Sequence, residues 1–197
     1  AAEQNWLKPQ LVEAGELQQM SSLAATDGAL ALVKQPIKVE ANIVDEAKKD
    51  IVLVLEDIRD PGNLGTIIRI ADWYGVKHIF ASVGTVDMFN NKTIISSMGS
   101  FARVHIQYGD IKESLRQCNE QKILTIGSVL EAKNSHTYAW PKTGAIVIGN
   151  EANGISEETQ ELLKNSVSIP SYGEAESLNA GVATAVLLDE WRRSQVK

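Results

Sequence analysis

Cysteine is almost missing from this chain, with Cys118 alone among 197 residues. One thiol can form neither an intramolecular disulfide nor a multi-cysteine metal site. Long apolar runs are missing too, so no segment reads as a membrane span. The opening AAEQNWLKPQ has neither the basic flank nor the apolar core of a secretory signal, and a cytoplasmic location is expected. It also lacks an initiator Met and reads as an excerpt of a longer protein. The phosphate loop G-x-x-x-x-G-K-[ST], the dinucleotide fingerprint G-x-G-x-x-G and the nucleophile elbow G-x-S-x-G are all missing. His78, His105 and His136 lie far apart without zinc-site spacing, and no metal is expected. Basic residues are in deficit, 19 against 25 acidic ones. The resulting net charge of −6 argues at first sight against a nucleic-acid partner, whose binding is driven by Lys and Arg.

What is present is an ordinary globular composition, 44% hydrophobic and 22% charged, long enough for a sizeable core. The charge is uneven. Residues 59–116 carry seven cations against five acids, while residues 120–176 carry four lysines against eight glutamates. Basic and acidic functions are therefore expected on different faces.

Strand and helix patterns alternate. Ile51–Leu55 is an unbroken apolar run suited to a strand buried on both faces. Asp60-Pro61-Gly62-Asn63 reads as a tight turn. Leu64, Ile67, Ile68 and Ala71 then form a helical stripe that Gly75 can end in a left-handed cap. Strands are expected at 77–81, 103–107, 122–126, 144–148 and 167–169. Helices are expected at 93–98 and 111–119, from Ser156, and at 178–193. This alternation predicts an α/β domain, a mostly parallel sheet with helices on both faces. Before residue 45 the pattern changes: a helix is expected over 13–23, a strand over 29–33 and a polar linker over 37–50.

Three segments are unusual. The first runs from Glu56 to Arg69, past the C-terminal end of the first buried strand, where open parallel sheets bind ligands. Arg69 lies about 140° around the helix from Leu64, off the apolar stripe. The second runs from Ile146 through Gly149-Asn150-Glu151-Ala152-Asn153-Gly154 to Ser156, a buried strand leading into a polar turn and a helix start. Its glycines allow close backbone approach or positive φ. The third runs from Ile169-Pro170 through Glu176-Ser177-Leu178-Asn179 into an Ala/Gly-rich helix.

Together these segments resemble the three motifs of the SpoU/TrmH branch of the SPOUT methyltransferases. The chain has Asn63-x-Gly65-x-x-x-Arg69, Gly149-Asn150-Glu151-x-x-Gly154, and Ile169-Pro170 followed by Glu176-Ser177-Leu178-Asn179, in family order. Ser171 stands where the family often has Met, and Ala180-Gly181 where many members have Val-Ser or Val-Ala. The resemblance covers about residues 46–197. It implies a C-terminal trefoil knot, S-adenosylmethionine bound in that knot, a homodimer, and methylation of a ribose 2′-hydroxyl in RNA. Residues 1–45 then read as the tail of a ribosomal-protein-like RNA-binding domain plus linker. Such a domain favours rRNA as the substrate over tRNA.

By the same resemblance Arg69 is the catalytic arginine, with Asn63, Glu151, Ser177 and Asn179 positioning it and the substrate. Gly127, Ser128, Ile148, Gly149, Asn150, Gly154, Ile169, Pro170, Leu178 and Asn179 are expected to contact the cofactor. An arginine stays protonated below pH 12 or so, which suits it to bind a phosphate and stabilise an alkoxide rather than to act as a base. The competing readings are a tRNA 2′-O-methyltransferase and a non-catalytic RNA-binding or assembly factor on the same fold. Intact polar motif residues speak against the second.

Overall fold

The computed structural model describes residues 10–21, 28–35 and 40–196. The chain forms two compact units, Ala1–Val39 and Glu40–Lys197. In the first, helix α1 spans Ala14–Met20, and Glu16 Oε2 accepts from the Glu13 backbone N–H at 3.1 Å. The helix expected over 13–23 thus starts one residue later and ends at Met20, where Ser21 N–H caps it on Leu17 carbonyl; residues 22 and 23 lie outside the described residues. The strand expected at 29–33 does not form; residues 28–35 are irregular and exposed. Their β-prone composition finds no pairing partner among the described residues of this unit, and an unpaired strand is not stable in water.

The second unit begins with a correction to the expected linker. Of that stretch, residues 37–39 lie outside the described residues, but α2 spans Ile43–Lys49. Asn42 Oδ1 caps it by accepting from the N–H groups of Val44 and Asp45, and Ile43 and Ala47 are buried on one face. Its polarity belongs to the other face. The remaining elements are β1 (Ile51–Leu55), α3 (Pro61–Trp73), β2 (His78–Ser82), α4 (Asn91–Ser96), β3 (His105–Gly109) and α5 (Ile111–Glu120). They continue with β4 (Thr125–Asn134), β5 (Gly144–Ile148), α6 (Glu157–Gln160), β6 (Asn165–Ser168) and α7 (Ala180–Gln195).

The six strands form one sheet in the order β3-β2-β1-β5-β4-β6, with every neighbouring pair parallel. Alternate residues of β1 feed opposite faces, as pleating requires. Ile51, Leu53 and Leu55 pack with Leu64, Ile67 and Ile68 of α3 and with Leu187, Leu188 and Trp191 of α7. Val52 and Val54 pack with Ile43 of α2 and with Ile111, Leu115 and Cys118 of α5. The sheet is therefore covered on both sides, which explains why its central strands are apolar throughout.

Several boundaries differ from expectation by one or two residues, as for β2, α4, β3, β6 and α7, and two further differences have local reasons. Asp60 is not in a free turn but is the N-cap of α3: its Oδ1 accepts from Asn63 N–H at 2.8 Å, and Pro61 occupies the first turn, where its missing N–H costs nothing. The strand expected at 122–126 starts later and runs further, as β4. Lys122 is at φ +56 in the connection after α5, where Ile123 N–H donates to Cys118 carbonyl.

Burial pushes the Cys118 thiol up to about 11. The reactive thiolate is therefore scarce at neutral pH. Alkylation of the native protein by iodoacetamide at pH 7.5 should be slow and become rapid in denaturant, as mass spectrometry would show.

Candidate active site

The strand order makes the site. The chain builds β1, β2 and β3 outward in one direction, then crosses back to place β4 and β5 on the other side of β1. The crevice between β1 and β5 is such a switch point, where open α/β sheets take ligands. Leu55 is in register with Ile148, so residues 56–63 and 149–156 leave the sheet side by side.

Hydrogen bonds tie these segments to each other and to the start of α7. Glu56 N–H donates to Ile148 carbonyl at 2.9 Å, and Asn150 Nδ2 to Asp57 carbonyl at 2.8 Å. Asn63 Nδ2 donates to Glu151 Oε1 at 2.5 Å, and Asn179 Nδ2 to Asn63 Oδ1 at 2.7 Å. The last two join one residue from each motif into a chain. Asn179 is also the N-cap of α7, its Oδ1 accepting from Gly181 and Val182 N–H. Asn63 is thus fixed at both ends of its amide, which assigns its orientation.

Turn 150–154 closes on itself. Asn150 N–H donates to Gly154 carbonyl at 3.0 Å and Gly154 N–H to Asn150 carbonyl at 2.8 Å, while Asn150 Oδ1 accepts from Ala152 and Asn153 N–H. Gly154 has φ +66. A Cβ on Gly149 would sit 2.2 Å from Gly154 C and 2.4 Å from Ile155 N, so only glycine lets the two backbones meet.

A cavity of about 800 Å³ opens beside this turn. Of the expected cofactor residues, Ser128, Ile148, Gly149, Asn150, Gly154, Ile169, Pro170 and Leu178 line it. Gly127 does not; it is packed so closely under Leu163 that a Cβ would meet Cδ1 at 2.2 Å. Asn179 is also off the lining; its Nδ2 donates to Asn63 Oδ1. Of the expected catalytic residues, Glu151 and Ser177 line the cavity, whereas Asn63 and Arg69 do not. Gly65 of the first motif has a packing role, since a Cβ there would lie 2.5 Å from Thr93 carbonyl on α4.

Arg69 is exposed on α3 and bonds to no side chain among the described residues. Three neighbouring cations are engaged. Arg59 meets Asp57 at 3.0 Å, Lys92 meets Asp60 at 3.1 Å and Arg103 meets Asp72 at 2.6 Å. Asp60 titrates below the ordinary aspartate range, first because Asn63 N–H donates to it and then because Lys92 adds a bond and a charge. Among the described residues no group of three or more His, Cys, Asp or Glu is placed to hold a metal, and no helix is long and apolar enough to cross a membrane.

Glu56 is the residue that the sequence pattern did not single out. It is 9% exposed, and its carboxylate accepts from Ser156 N–H (3.0 Å), Ser156 hydroxyl (2.7 Å) and Thr159 hydroxyl (2.8 Å). It thereby fixes the far end of the cavity turn. The available signal was a glutamate directly after a fully buried strand, together with Ser-x-x-Thr at a helix start. Glu56→Gln replaces an acceptor with a donor against these groups. Urea denaturation should show a loss of about 1–3 kcal/mol, the cost of orphaned buried polar groups.

A parallel sheet with a cavity beyond the C-terminal ends of β4, β5 and β6 has the form of an α/β domain that takes a small ligand. The particular kind follows from comparison. The SpoU rRNA Methylase family model matches residues 50–189, and the chain belongs to that family. It is 33% identical over 140 residues to the 23S rRNA (guanosine(2553)-2′-O)-methyltransferase RlmP of Bacillus subtilis, matching 70% of this chain and 56% of that protein. Over 159 residues it is 31% identical to the tRNA (guanosine(18)-2′-O)-methyltransferase of Thermus thermophilus, matching 79% of this chain and 80% of that protein. Among solved structures, the SpoU methyltransferase AviRb from Streptomyces viridochromogenes, in complex with the cofactor AdoMet, superposes with a TM-score of 0.69. It is 27% identical, over 75% of this chain and 61% of AviRb. The chain thus spans little more than half the length of the Bacillus relative.

Proposed function

We propose that this chain is the catalytic part of an RNA 2′-O-ribose methyltransferase that uses S-adenosylmethionine and acts on rRNA. The observation that carries the reading is the hydrogen-bonded chain Glu151–Asn63–Asn179, which joins all three motifs at the rim of one cavity. The cavity suits the methyl donor. Its volume is in the range of sites for drug-sized ligands. Ile148, Ile169 and Leu178 offer apolar walls, and turn 149–154 offers backbone polar groups.

The donor supplies an electrophilic methyl group on a sulfonium sulfur. With that donor bound, methyl transfer to the ribose 2′-oxygen would release a neutral thioether, and the hydroxyl proton would pass to water. The chain's own work is alignment and charge stabilisation. Asn179 holds Asn63, and Asn63 holds Glu151 at the cavity rim; Arg69, with no side-chain partner among the described residues, binds the neighbouring phosphate and stabilises the developing alkoxide. The family's trefoil knot in the C-terminal segment, a homodimer and a cytoplasmic location belong to the same proposal.

Preference for rRNA rests on the unit before residue 40, read as the tail of a ribosomal-protein-like domain, and on the family's description. A tRNA substrate is the second reading, favoured by the similarity to the Thermus enzyme. Transfer of tritium from labelled S-adenosylmethionine to unmodified rRNA and tRNA transcripts tests both. Label in rRNA supports the proposal, label in tRNA alone replaces the substrate, and no label in either overturns the activity.

A further inference from the structure

The cavity rim carries one large side chain that the reaction as described leaves unused. Tyr172 lines the cavity, yet 88% of its surface is open to solvent. It is the apex of a tight turn. Ser171 hydroxyl donates to Gly173 carbonyl at 3.1 Å, and Gly173 N–H donates back to Ser171 Oγ at 3.4 Å. A proline precedes this turn, so the ring is carried on a backbone with few alternatives. Leu130, 72% exposed, lines the same cavity. Two large apolar side chains thus stand in water at one cavity, an exposure that a bound partner would relieve.

From this position we infer that Tyr172 is a stacking platform for a nucleobase of the RNA, a specificity-determining contact for the proposed transfer. The inference rests on that function and adds the subsite. A nucleotide that presents its 2′-oxygen at the cavity carries its base on the adjacent ribose carbon. Target base and ribose therefore arrive at one rim, where Glu151 and Ser177 also stand. RNA-binding proteins that take splayed nucleotides stack their bases on aromatic rings, because every base has a π-face. The phenol hydroxyl is not needed for stacking, so Phe should substitute and Ala should not.

The test is fluorescence anisotropy of an end-labelled, unmodified rRNA transcript titrated with the full chain in the presence of S-adenosylhomocysteine. Tyr172→Ala should weaken RNA binding by roughly 5- to 100-fold, the range for loss of one base–aromatic stack. Tyr172→Phe should bind within about twofold of the parent. Calorimetric affinity for S-adenosylmethionine should fall far less than RNA affinity in Tyr172→Ala, because the ring is 88% exposed at the rim, and should match the parent in Tyr172→Phe. Unchanged RNA affinity in Tyr172→Ala overturns the inference. So does an equal loss of S-adenosylmethionine affinity, which assigns the ring to the methyl donor, or an altered sedimentation coefficient, which assigns it to a subunit contact. The binding assay needs no turnover. If the parent chain binds RNA through Tyr172 but transfers no methyl group, the proposed activity fails and the platform stands.

Discussion

Replacing Arg69 with alanine should abolish methyl transfer while leaving S-adenosylmethionine affinity within about twofold of the parent. The asymmetry follows from where Arg69 stands. It is exposed on α3 and is not among the residues lining the cavity, so the donor's binding surface survives its removal. Its guanidinium makes no ion pair among the described residues, unlike Arg59, Lys92 and Arg103, whose charges are partly spent on neighbouring aspartates. A free cation with five donors, six residues along the helix from Asn63, is suited to an incoming phosphate. Loss of one preorganised charge-stabilising group typically lowers kcat by about 10²–10³. Arg69 would also position the RNA, so kcat/KM should fall further. Arg69→Lys keeps the charge and loses the two-pronged geometry, and should recover only part of the rate. Single-turnover transfer assays and calorimetry read the two quantities separately. Donor affinity that falls in step with the rate would place Arg69 in the donor site and refute the assignment.

How much of this was legible in the sequence depended on how completely each element was buried. Ile51–Leu55 and Gly144–Ile148 are buried at every residue, and a strand covered on both faces leaves an apolar run that no loop needs. The stripe Leu64, Ile67, Ile68, Ala71 was equally clear, since all four residues enter one core. Helix α2 was not. Only Ile43 and Ala47 of its seven residues are buried, so composition recorded its wet face. The start of β4 was obscured because Leu124 is partly exposed and Lys122 takes a left-handed conformation that its identity does not announce. In the site, glycines and amides at fixed spacing marked the loops, because close approach restricts residue type. Glu56 escaped because what defines it is three donors about 100 residues away, and no local pattern encodes that contact.

Gly149→Ala should leave a folded protein that has lost S-adenosylmethionine binding by about 100-fold or more, the scale expected when a positioned group is displaced by about 1 Å. The added methyl would fall 2.2 Å from Gly154 C, 2.3 Å from Gly154 O and 2.4 Å from Ile155 N. These are backbone atoms, so no rotamer change relieves the clash, and turn 150–154 must move away from the end of β5. That movement breaks the reciprocal bonds between Asn150 and Gly154 and shifts Glu151 away from Asn63. The floor of the cavity and its polar rim are thus lost together. The sheet should survive, because Ile146 and Ile148 remain paired to β1 and buried. Gly154→Ala provides the control. A Cβ there meets nothing within 4 Å, and the only penalty is the left-handed backbone at φ +66, about 1–2 kcal/mol. That variant should lower the urea midpoint modestly and bind the donor with little loss. If the two alanine variants weaken binding equally, backbone apposition at Gly149 is not what shapes the site. If only Gly149→Ala does so, the glycine that opens the second motif is required because two segments of main chain touch there.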